Sequence, residues 1–114
     1  MLLVDDQLVS AMGIAILLEM EGCVVLGPVG NIGAALSLIE ENAPDIGLLD
    51  YQLDGQTTEP IIADLDARNV PCVLLTGYSR EYLPESIRDH PVILKPAPHA
   101  KLIGMLQRNL RGTH

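Results

Sequence analysis

The stretch PDIGLLDYQLDGQ, residues Pro44–Gln56, holds an apolar run that stops abruptly at a carboxylate. Residues 46–49 have the composition of a short buried strand, and Asp50 follows them directly. A carboxylate at the end of a buried strand costs free energy unless other groups pair with it. The stretch therefore predicts a strand that carries Asp50 to a site where other parts of the chain compensate its charge.

Around this stretch, apolar runs of strand character alternate with segments whose apolar residues recur at helical spacing. The predicted strands are Met1–Val4, Cys23–Val29, Asp45–Asp50, Val70–Thr76 and Val92–Leu94. The predicted helices are Gln7–Glu21, Asn31–Asn42, one from Thr57 or Thr58 to Arg68, Ser79–His90 and Pro98–Arg111. Strands that are apolar on both faces and separated by helices indicate a parallel sheet covered on both sides. Right-handed crossovers leave few topologies, so the expected fold is α/β of (βα)5 order with a doubly wound five-stranded parallel sheet. If the strand order is 2-1-3-4-5, the first and third strands are neighbours.

Several residues mark the ends of these helices. Asp6 is the predicted N-cap of the first helix and Asn31 that of the second. Gly22 is the predicted stop of the first helix, and Pro84 is expected to truncate or displace the fourth. Large apolar residues recur near helical spacing in the first helix: Val9, Met12, Ile16 and Met20.

The chain has 114 residues and a formal net charge of −8. This length suits one domain, and we expect a single domain over residues 1–114 with no linker and no second domain. An acidic surface disfavours nucleic acid and anionic membranes as direct partners, because both are polyanions. The apolar runs are shorter than the roughly 20 residues of a membrane span, and the start of the chain lacks a signal-peptide pattern. A cytoplasmic location is therefore expected.

The cysteines and histidines show no spacing typical of a metal site. Cys23 and Cys72 lie in apolar runs and are predicted to be buried, reduced thiols of a cytosolic protein. His90, His99 and His114 have no partner acid nearby in the sequence, so all three are predicted to face solvent.

The carboxyl ends of parallel strands form the usual ligand-binding edge of an open α/β sheet. Residues with chemistry follow four of the predicted strands at this edge: Asp5 and Asp6, Asp50, Thr76, and Lys95. Three carboxylates that converge there cannot all stay ionised without a cation, and hard oxygen ligands suit Mg²⁺. Since Lys95 and the Thr76 hydroxyl reach the same place, this is a layout for transferring a phosphoryl group to Asp50.

The order of these motifs resembles that of the receiver domain of bacterial two-component response regulators: Asp5-Asp6, Asp50, Thr76 and Lys95-Pro96. The resemblance spans essentially the whole chain and implies the flavodoxin-like receiver fold. It implies that Asp50 is the phosphoacceptor, and that the backbone carbonyl of Gln52 joins the three acids in holding Mg²⁺. It also implies that Thr76 is a switch hydroxyl, that Lys95 pairs with phosphoryl oxygens, and that the bond between Lys95 and Pro96 is cis.

By the same resemblance, the chain takes a phosphoryl group from a histidine kinase or a histidine phosphotransfer protein. It is not an enzyme beyond self-catalysed phosphoryl acceptance and autodephosphorylation. With no output domain after the last helix, it is expected to signal by docking on a protein or to act as a phosphate shuttle or sink. A receiver excised from a larger regulator or hybrid kinase has the same pattern, so that alternative stays open.

Three other functions fit the residues less well. A small aspartyl phosphotransfer enzyme usually carries a second acid two residues after its nucleophile, where this chain has Gln52. A flavodoxin-like binding module needs a phosphate-cradling loop after the first strand, where Asp5 and Asp6 stand instead. A degenerate receiver that serves only as a scaffold is disfavoured by the intact set of acids.

Some positions depart from the pattern usual in receivers. Val92 stands where receivers commonly carry an aromatic switch residue. The segment PCVLLTGYS, Pro71–Ser79, resembles a subgroup of single-domain receivers with the pattern Pro-Phe-x-Phe-Ala-Thr-Gly-Tyr-Ser, and Tyr78 or Tyr82 is a candidate for the aromatic role. Asp54 replaces a common proline in the loop after the third strand and adds negative charge near the site.

Overall fold

A computed structural model of the chain describes residues 1–53, 55–77, 79–95 and 98–111, and for residues 80, 99 and 109–111 it describes the backbone alone. In chain order the elements are β1 (Leu2–Val4), α1 (Leu8–Met20), β2 (Leu26–Val29), α2 (Ile32–Asn42), β3 (Gly47–Asp50), β4 (Gln52–Leu53), β5 (Gln56–Thr57), α3 (Glu59–Ala67), β6 (Cys72–Thr76), β7 (Val92–Leu94) and α4 (His99–Arg111). A parallel sheet covered by helices confirms the predicted α/β class.

The main sheet has the strand order β2-β1-β3-β6-β7, and all its neighbouring strands run parallel. Counted along the chain within this sheet, the order is the predicted 2-1-3-4-5. The sequence pattern does not predict the short antiparallel pair β4–β5. Gly55, between these two strands, has a φ of +83°, a left-handed conformation that glycine adopts without a steric penalty.

The core lies on both faces of the sheet, because successive residues of a strand point to opposite sides. On β3, Leu49 belongs to a cluster that α2 and α3 cover, while Leu48 belongs to a cluster under α1 and α4. Both leucines are 0% exposed, and burying such a side chain contributes roughly 1.5–3 kcal/mol. Packing from both sides therefore fixes the strand that carries Asp50.

The segment between β6 and β7 departs from the prediction. Ser79–His90 holds two 3₁₀ turns, Arg80–Tyr82 and Glu85–Ile87, so the α-helix predicted there is wrong. Pro84 precedes the second turn with a ψ of 146°. A proline inside a helix lacks the amide hydrogen and clashes with the preceding turn, which explains why no continuous helix forms.

Besides Pro84, three residues carry predicted helix-end signals, and two of these signals are confirmed. The Asn31 side chain accepts a hydrogen bond from the Ala34 amide at 2.8 Å and caps α2. Gly22 follows the end of α1 with a φ of +92°. The prediction for Asp6 is wrong: the N-cap of α1 is Gln7, and the nearby acid that contributes is Asp5, whose Oδ1 accepts from the Gln7 amide at 2.9 Å.

Helix α1 packs on the sheet through small residues, Ala11 and Ala15, together with Leu18. The large apolar side chains of the same helix face solvent instead, and they are here named the α1 stripe: Val9 (88% exposed), Met12 (56%), Ile16 (57%) and Met20 (77%). Among the described residues, no helix has the length and apolar character needed to cross a membrane.

At the amino-terminal edge of the sheet, the prediction for Cys72 is confirmed and the prediction for His90 is wrong. Cys72 is a buried free thiol, as predicted, and Cys23 is a half-buried one. Burial, with the charge of Asp66, raises the pKa of the Cys72 thiol to about 12. The prediction that His90 is solvated without a partner acid is wrong, because its Nε2 lies 2.9 Å from Asp66 and its side chain is 15% exposed. The His99 side chain and all of residue 114 lie outside what the structure describes.

Candidate functional site

The candidate site lies at the carboxyl edge of the main sheet, where β1, β3, β6 and β7 end side by side. Backbone hydrogen bonds continue beyond the strand ends. The Tyr51 amide donates to the Leu75 carbonyl at 2.8 Å, and the Lys95 amide donates to the Thr76 carbonyl at 2.9 Å. These bonds hold Asp50 and Lys95 at fixed positions along the edge.

Three carboxylates, here named the acid cluster (Asp5, Asp6 and Asp50), meet at this edge with one oxygen of each within 4.8 Å of the others. Asp5 and Asp50 are buried, and Asp6 is exposed. Burial, the largest cause, raises the pKa of Asp5 above its ordinary 3.8, although the hydrogen bond from the Gln7 amide and the charge of Lys95 oppose the rise. The charges of Asp50 and Asp6 add to it. The fully ionised cluster is therefore strained electrostatically and favours binding of a cation.

Lys95 places a cation against one member of this cluster. Its Nζ donates a hydrogen bond to Oδ2 of Asp50 at 2.8 Å, and the two side chains are 32% and 10% exposed. One ammonium cannot neutralise three carboxylates, so the ionised cluster retains a net negative charge. The donors are all carboxylate oxygens, and such a set fits Mg²⁺, which binds one or two carboxylates and keeps several waters.

Gln52 is the first residue of β4, and its backbone carbonyl makes no hydrogen bond to β5. Its partner across the hairpin is Thr57, and the next residue, Thr58, donates its amide hydrogen to the Tyr51 carbonyl at 2.8 Å. Hydrogen-bonded and non-hydrogen-bonded pairs alternate along an antiparallel ladder. Since Tyr51 and Thr58 form a hydrogen-bonded pair, the adjacent pair of Gln52 and Thr57 is non-hydrogen-bonded. The Gln52 carbonyl therefore points away from β5 and is a candidate oxygen ligand two residues after Asp50.

Thr58 supports this geometry in a way that the sequence pattern does not reveal. It is 0% exposed, and its hydroxyl donates to the Tyr51 carbonyl at 3.1 Å in addition to the amide bond. A threonine before a helix suggests a capping role, yet its side chain makes no capping hydrogen bond to α3. The hydroxyl instead stabilises the backbone immediately after Asp50 by its hydrogen bond to Tyr51.

Thr76 ends β6 and is 2% exposed. Above the acid cluster the surface opens into a cleft of about 610 Å³, which is lined by Asp6, Gln7, Asp50, Gln52, Gly55, Gly77 and Lys95. The structure thus brings together the acids, the hydroxyl-bearing strand end and the lysine at one edge. The Asp50 carboxylate lines this open cleft together with Lys95.

Among the residues singled out where the chain departs from the usual receiver pattern, the structure describes Val92 and Tyr82. Val92 is half-buried and packs on the cluster between the sheet and the α2–α3 layer. Tyr82 is 74% exposed and lines a separate depression with Tyr51 and Leu83, so its aromatic role stays a prediction. Three further predictions concern residues outside the described ranges: the aromatic role of Tyr78, the charge of Asp54 and the cis bond to Pro96.

Known proteins share both the sequence pattern and the fold. The transcriptional regulatory protein PdtaR from Mycobacterium tuberculosis is 27% identical over 89 residues, which are 77% of this chain and 43% of PdtaR. This chain therefore spans less than half the length of that curated relative. The solution structure of SdrG from Sphingomonas melonis Fr1 is 31% identical and covers 96% of this chain and 93% of SdrG, with a TM-score of 0.81.

A third similar protein is the response regulator PhyR from Brucella abortus, 25% identical with a TM-score of 0.83 over 97% of this chain and 47% of PhyR. The sequence model of the response regulator receiver domain matches residues 1–107, which is nearly the whole chain. The chain therefore belongs to the response regulator receiver domain family of two-component signalling.

Proposed function

We propose that this receiver domain accepts a phosphoryl group on the Asp50 carboxylate, with Mg²⁺ held by the acid cluster and the Gln52 carbonyl. The observation that carries the proposal is the setting of Asp50, with two further carboxylates within 4.8 Å and the Lys95 ammonium at 2.8 Å. Phosphoryl transfer depends mainly on positioning and on neutralising the charge of the phosphoryl oxygens. A nucleophilic carboxylate flanked by a cation-binding cluster and a lysine supports both requirements.

In the proposed reaction, a carboxylate oxygen of Asp50 attacks the phosphorus of a phosphohistidine on the donor protein. The O–P bond forms as the P–N bond breaks, and the imidazole leaves with that electron pair and takes up a proton from solvent. Asp5, Asp6, Asp50 and the Gln52 carbonyl would hold Mg²⁺, which would supply positive charge beside the phosphoryl oxygens. Lys95 exchanges its bond to Asp50 for one to a phosphoryl oxygen, and the Thr76 hydroxyl donates to another.

The proposed donor is a histidine kinase or a histidine phosphotransfer protein, and the α1 stripe supports docking of a protein. Helix α1 begins at Leu8, two residues after Asp6. Contiguous exposed apolar side chains mark an interaction surface, whereas apolar residues scattered singly do not. A protein that covers the stripe next to the cleft can bring its histidine to Asp50.

The proposed output is docking on a downstream protein, or onward transfer as a phosphate shuttle or sink. Water ends the signal by attacking the acyl phosphate, and no separate enzymatic activity is proposed. The proposed location is the cytoplasm. The same chemistry applies where the domain is one part of a longer regulator.

The direct test is phosphorylation by acetyl phosphate in the presence of Mg²⁺, followed by intact-mass measurement. We expect a gain of one phosphoryl group, which Asp50→Asn abolishes and which chelation of the metal prevents. The matched control is Asp89→Asn, because Asp89 is an exposed acid away from the acid cluster. Absence of the mass gain with acetyl phosphate and with phosphorylated donor proteins alike would overturn the proposal.

A further inference from the structure

A second group of potential metal ligands lies at the opposite edge of the sheet. Asp66 comes from the last turn of α3, Cys72 is the first residue of β6, and His90 precedes β7. One ligand atom from each lies within 4.8 Å of the others. The five residues of β6 separate this group from the acid cluster by about 13 Å, so the two groups form distinct sites.

The His90 ring is oriented as a metal ligand would be. Its Nδ1 lies 3.0 Å from the Ile87 carbonyl, and since a carbonyl only accepts, this contact is a hydrogen bond in the tautomer that carries the hydrogen on Nδ1. In the neutral ring Nε2 then presents a lone pair, and it faces both oxygens of the Asp66 carboxylate at 2.9 and 3.0 Å. Two groups with lone pairs face each other at this distance only when a proton or a metal ion lies between them.

Cys72 adds a sulfur ligand to this pair. The residue is 1% exposed, so a thiolate at this position needs a cation beside it. A divalent metal ion balances one thiolate and one carboxylate together. Burial of Cys72 and the 48% exposure of the Asp66 side chain give a site that is closed toward the core and open to solvent on one side.

We propose that Asp66, Cys72 and His90 bind Zn²⁺, with water as the fourth ligand. Sulfur, imidazole and carboxylate together suit zinc and do not suit Mg²⁺. Metal–ligand bonds of about 2.0–2.1 Å place tetrahedral nitrogen and oxygen ligands about 3.3 Å apart, close to the observed separation between His90 and Asp66. On binding, the Cys72 S–H bond breaks, its proton goes to water, and the Zn–S bond forms with no change in oxidation state.

The bound ion would tie α3 to the turn that precedes β7. That turn replaces a regular helix, and β7 leads directly to Lys95. Zinc is therefore expected to stabilise the segment between β6 and β7, and this role does not depend on the proposed phosphorylation of Asp50.

The test uses Co²⁺ as a spectroscopic probe on the reduced, full chain. Wild-type protein is expected to show a thiolate-to-cobalt absorption band in the near ultraviolet, and equimolar Zn²⁺ is expected to displace it. Cys72→Ser should remove the band, while the matched control Cys23→Ser should keep it. Asp50→Asn should also keep it, which separates this site from the acid cluster.

Two further variants keep the test decisive if Cys72→Ser fails to fold. Asp66→Asn changes a half-exposed side chain, and it is expected to weaken Zn²⁺ binding at least about tenfold in competition with a chelating dye. His90→Gln is expected to weaken it likewise while retaining part of the sulfur band. The proposal is overturned if folded wild-type protein shows no cobalt band and no zinc binding, or if the band follows Cys23 and not Cys72.

Discussion

The Lys95 ammonium donates a hydrogen bond to Oδ2 of Asp50 at 2.8 Å, so the proposed acceptor is paired with a cation before any phosphoryl group arrives. This ammonium also repels a divalent ion bound among the three acids. Lys95→Met is therefore expected to bind Mg²⁺ more tightly, by about threefold or more given charge separations of a few ångströms in a partly solvated site. The same variant is expected to accept a phosphoryl group at least about tenfold more slowly, since its phosphoryl oxygens lose a partner.

Titration calorimetry with Mg²⁺ and the rate of labelling by acetyl phosphate measure the two effects separately. Lys101→Met is the matched control, because Lys101 is an exposed lysine on α4. Unchanged metal affinity in Lys95→Met would show that the lysine does not act on the cluster electrostatically.

Burial raises the pKa of Asp5 above 3.8. From this rise we predict how the stability of the metal-free folded protein changes with pH. Below about pH 3.8 the carboxyl is protonated in both the folded and unfolded states, and it has no effect. As the pH rises toward the folded-state pKa, the unfolded state loses its proton first, so the folded protein becomes less stable. Asp5→Asn retains an acceptor for the Gln7 amide and removes this penalty.

The metal-free variant Asp5→Asn is therefore expected to melt a few degrees above the wild type near pH 7, and this advantage shrinks as the pH falls toward about 4. Adding Mg²⁺ should stabilise the wild type more than the variant. Thermal unfolding followed by circular dichroism measures both. A wild type that is more stable than the variant without metal at neutral pH would contradict the electrostatic interpretation.

Much of the fold is predictable from the sequence because strand and helix patterns agree with each other along the chain. The apolar run before Asp50 forms β3, which lies between β1 and β6 in the expected strand order. The clustering of Asp5 and Asp6 with Asp50 follows from that order alone. These features depend on local patterns and on topology, which a single sequence carries.

Other features depend on contacts that no local pattern reveals. The face of α1 that packs on the sheet uses Ala11 and Ala15, whereas its large apolar residues stay exposed. His90 finds its acid in Asp66, which is distant in sequence and close only because α3 ends beside the start of β7. The hydroxyl of Thr58 serves a carbonyl of the preceding loop instead of a helix end.

Thr58→Val tests the bond that fastens the loop after Asp50. Valine has nearly the same shape but no hydroxyl, so the Tyr51 carbonyl keeps only its bond to the amide of residue 58. A loss of about 1 kcal/mol in the free energy of unfolding is expected, with weaker Mg²⁺ binding because the adjacent Gln52 carbonyl is less firmly held. Urea denaturation measures the loss as a lower midpoint at constant slope. Thr58→Ser keeps the hydroxyl and is the matched control. An unfolding free energy and an Mg²⁺ affinity equal to the wild type in Thr58→Val would refute this role.

Two glycines are expected to respond oppositely to alanine. A Cβ on Gly47 would lie 2.8 Å from Cδ1 of Leu65, which is 0% exposed, so Gly47→Ala should destabilise the core by about 1–3 kcal/mol. A Cβ on Gly13, in exposed α1, meets no atom within 4 Å among the described residues, so Gly13→Ala should stabilise by about 0.5–1 kcal/mol. Urea denaturation of both variants measures the difference. A loss of stability in Gly13→Ala would show that other atoms pack against α1 at this position.

Substitutions in the α1 stripe distinguish docking of a donor protein from the phosphorylation reaction itself. Met12→Gln combined with Ile16→Gln replaces two exposed apolar side chains by polar residues of good helix propensity, so folding should be unaffected. Phosphotransfer from a phosphorylated kinase or phosphotransfer protein is expected to fall by about tenfold or more, since apolar anchors contribute on the order of 1–2 kcal/mol each at an interface. Labelling by acetyl phosphate should stay at the wild-type rate, because that small donor needs no docking surface. Equal losses with both donors would mean that the substitutions disturb the acid cluster, and equal retention with both would exclude the stripe as the docking surface.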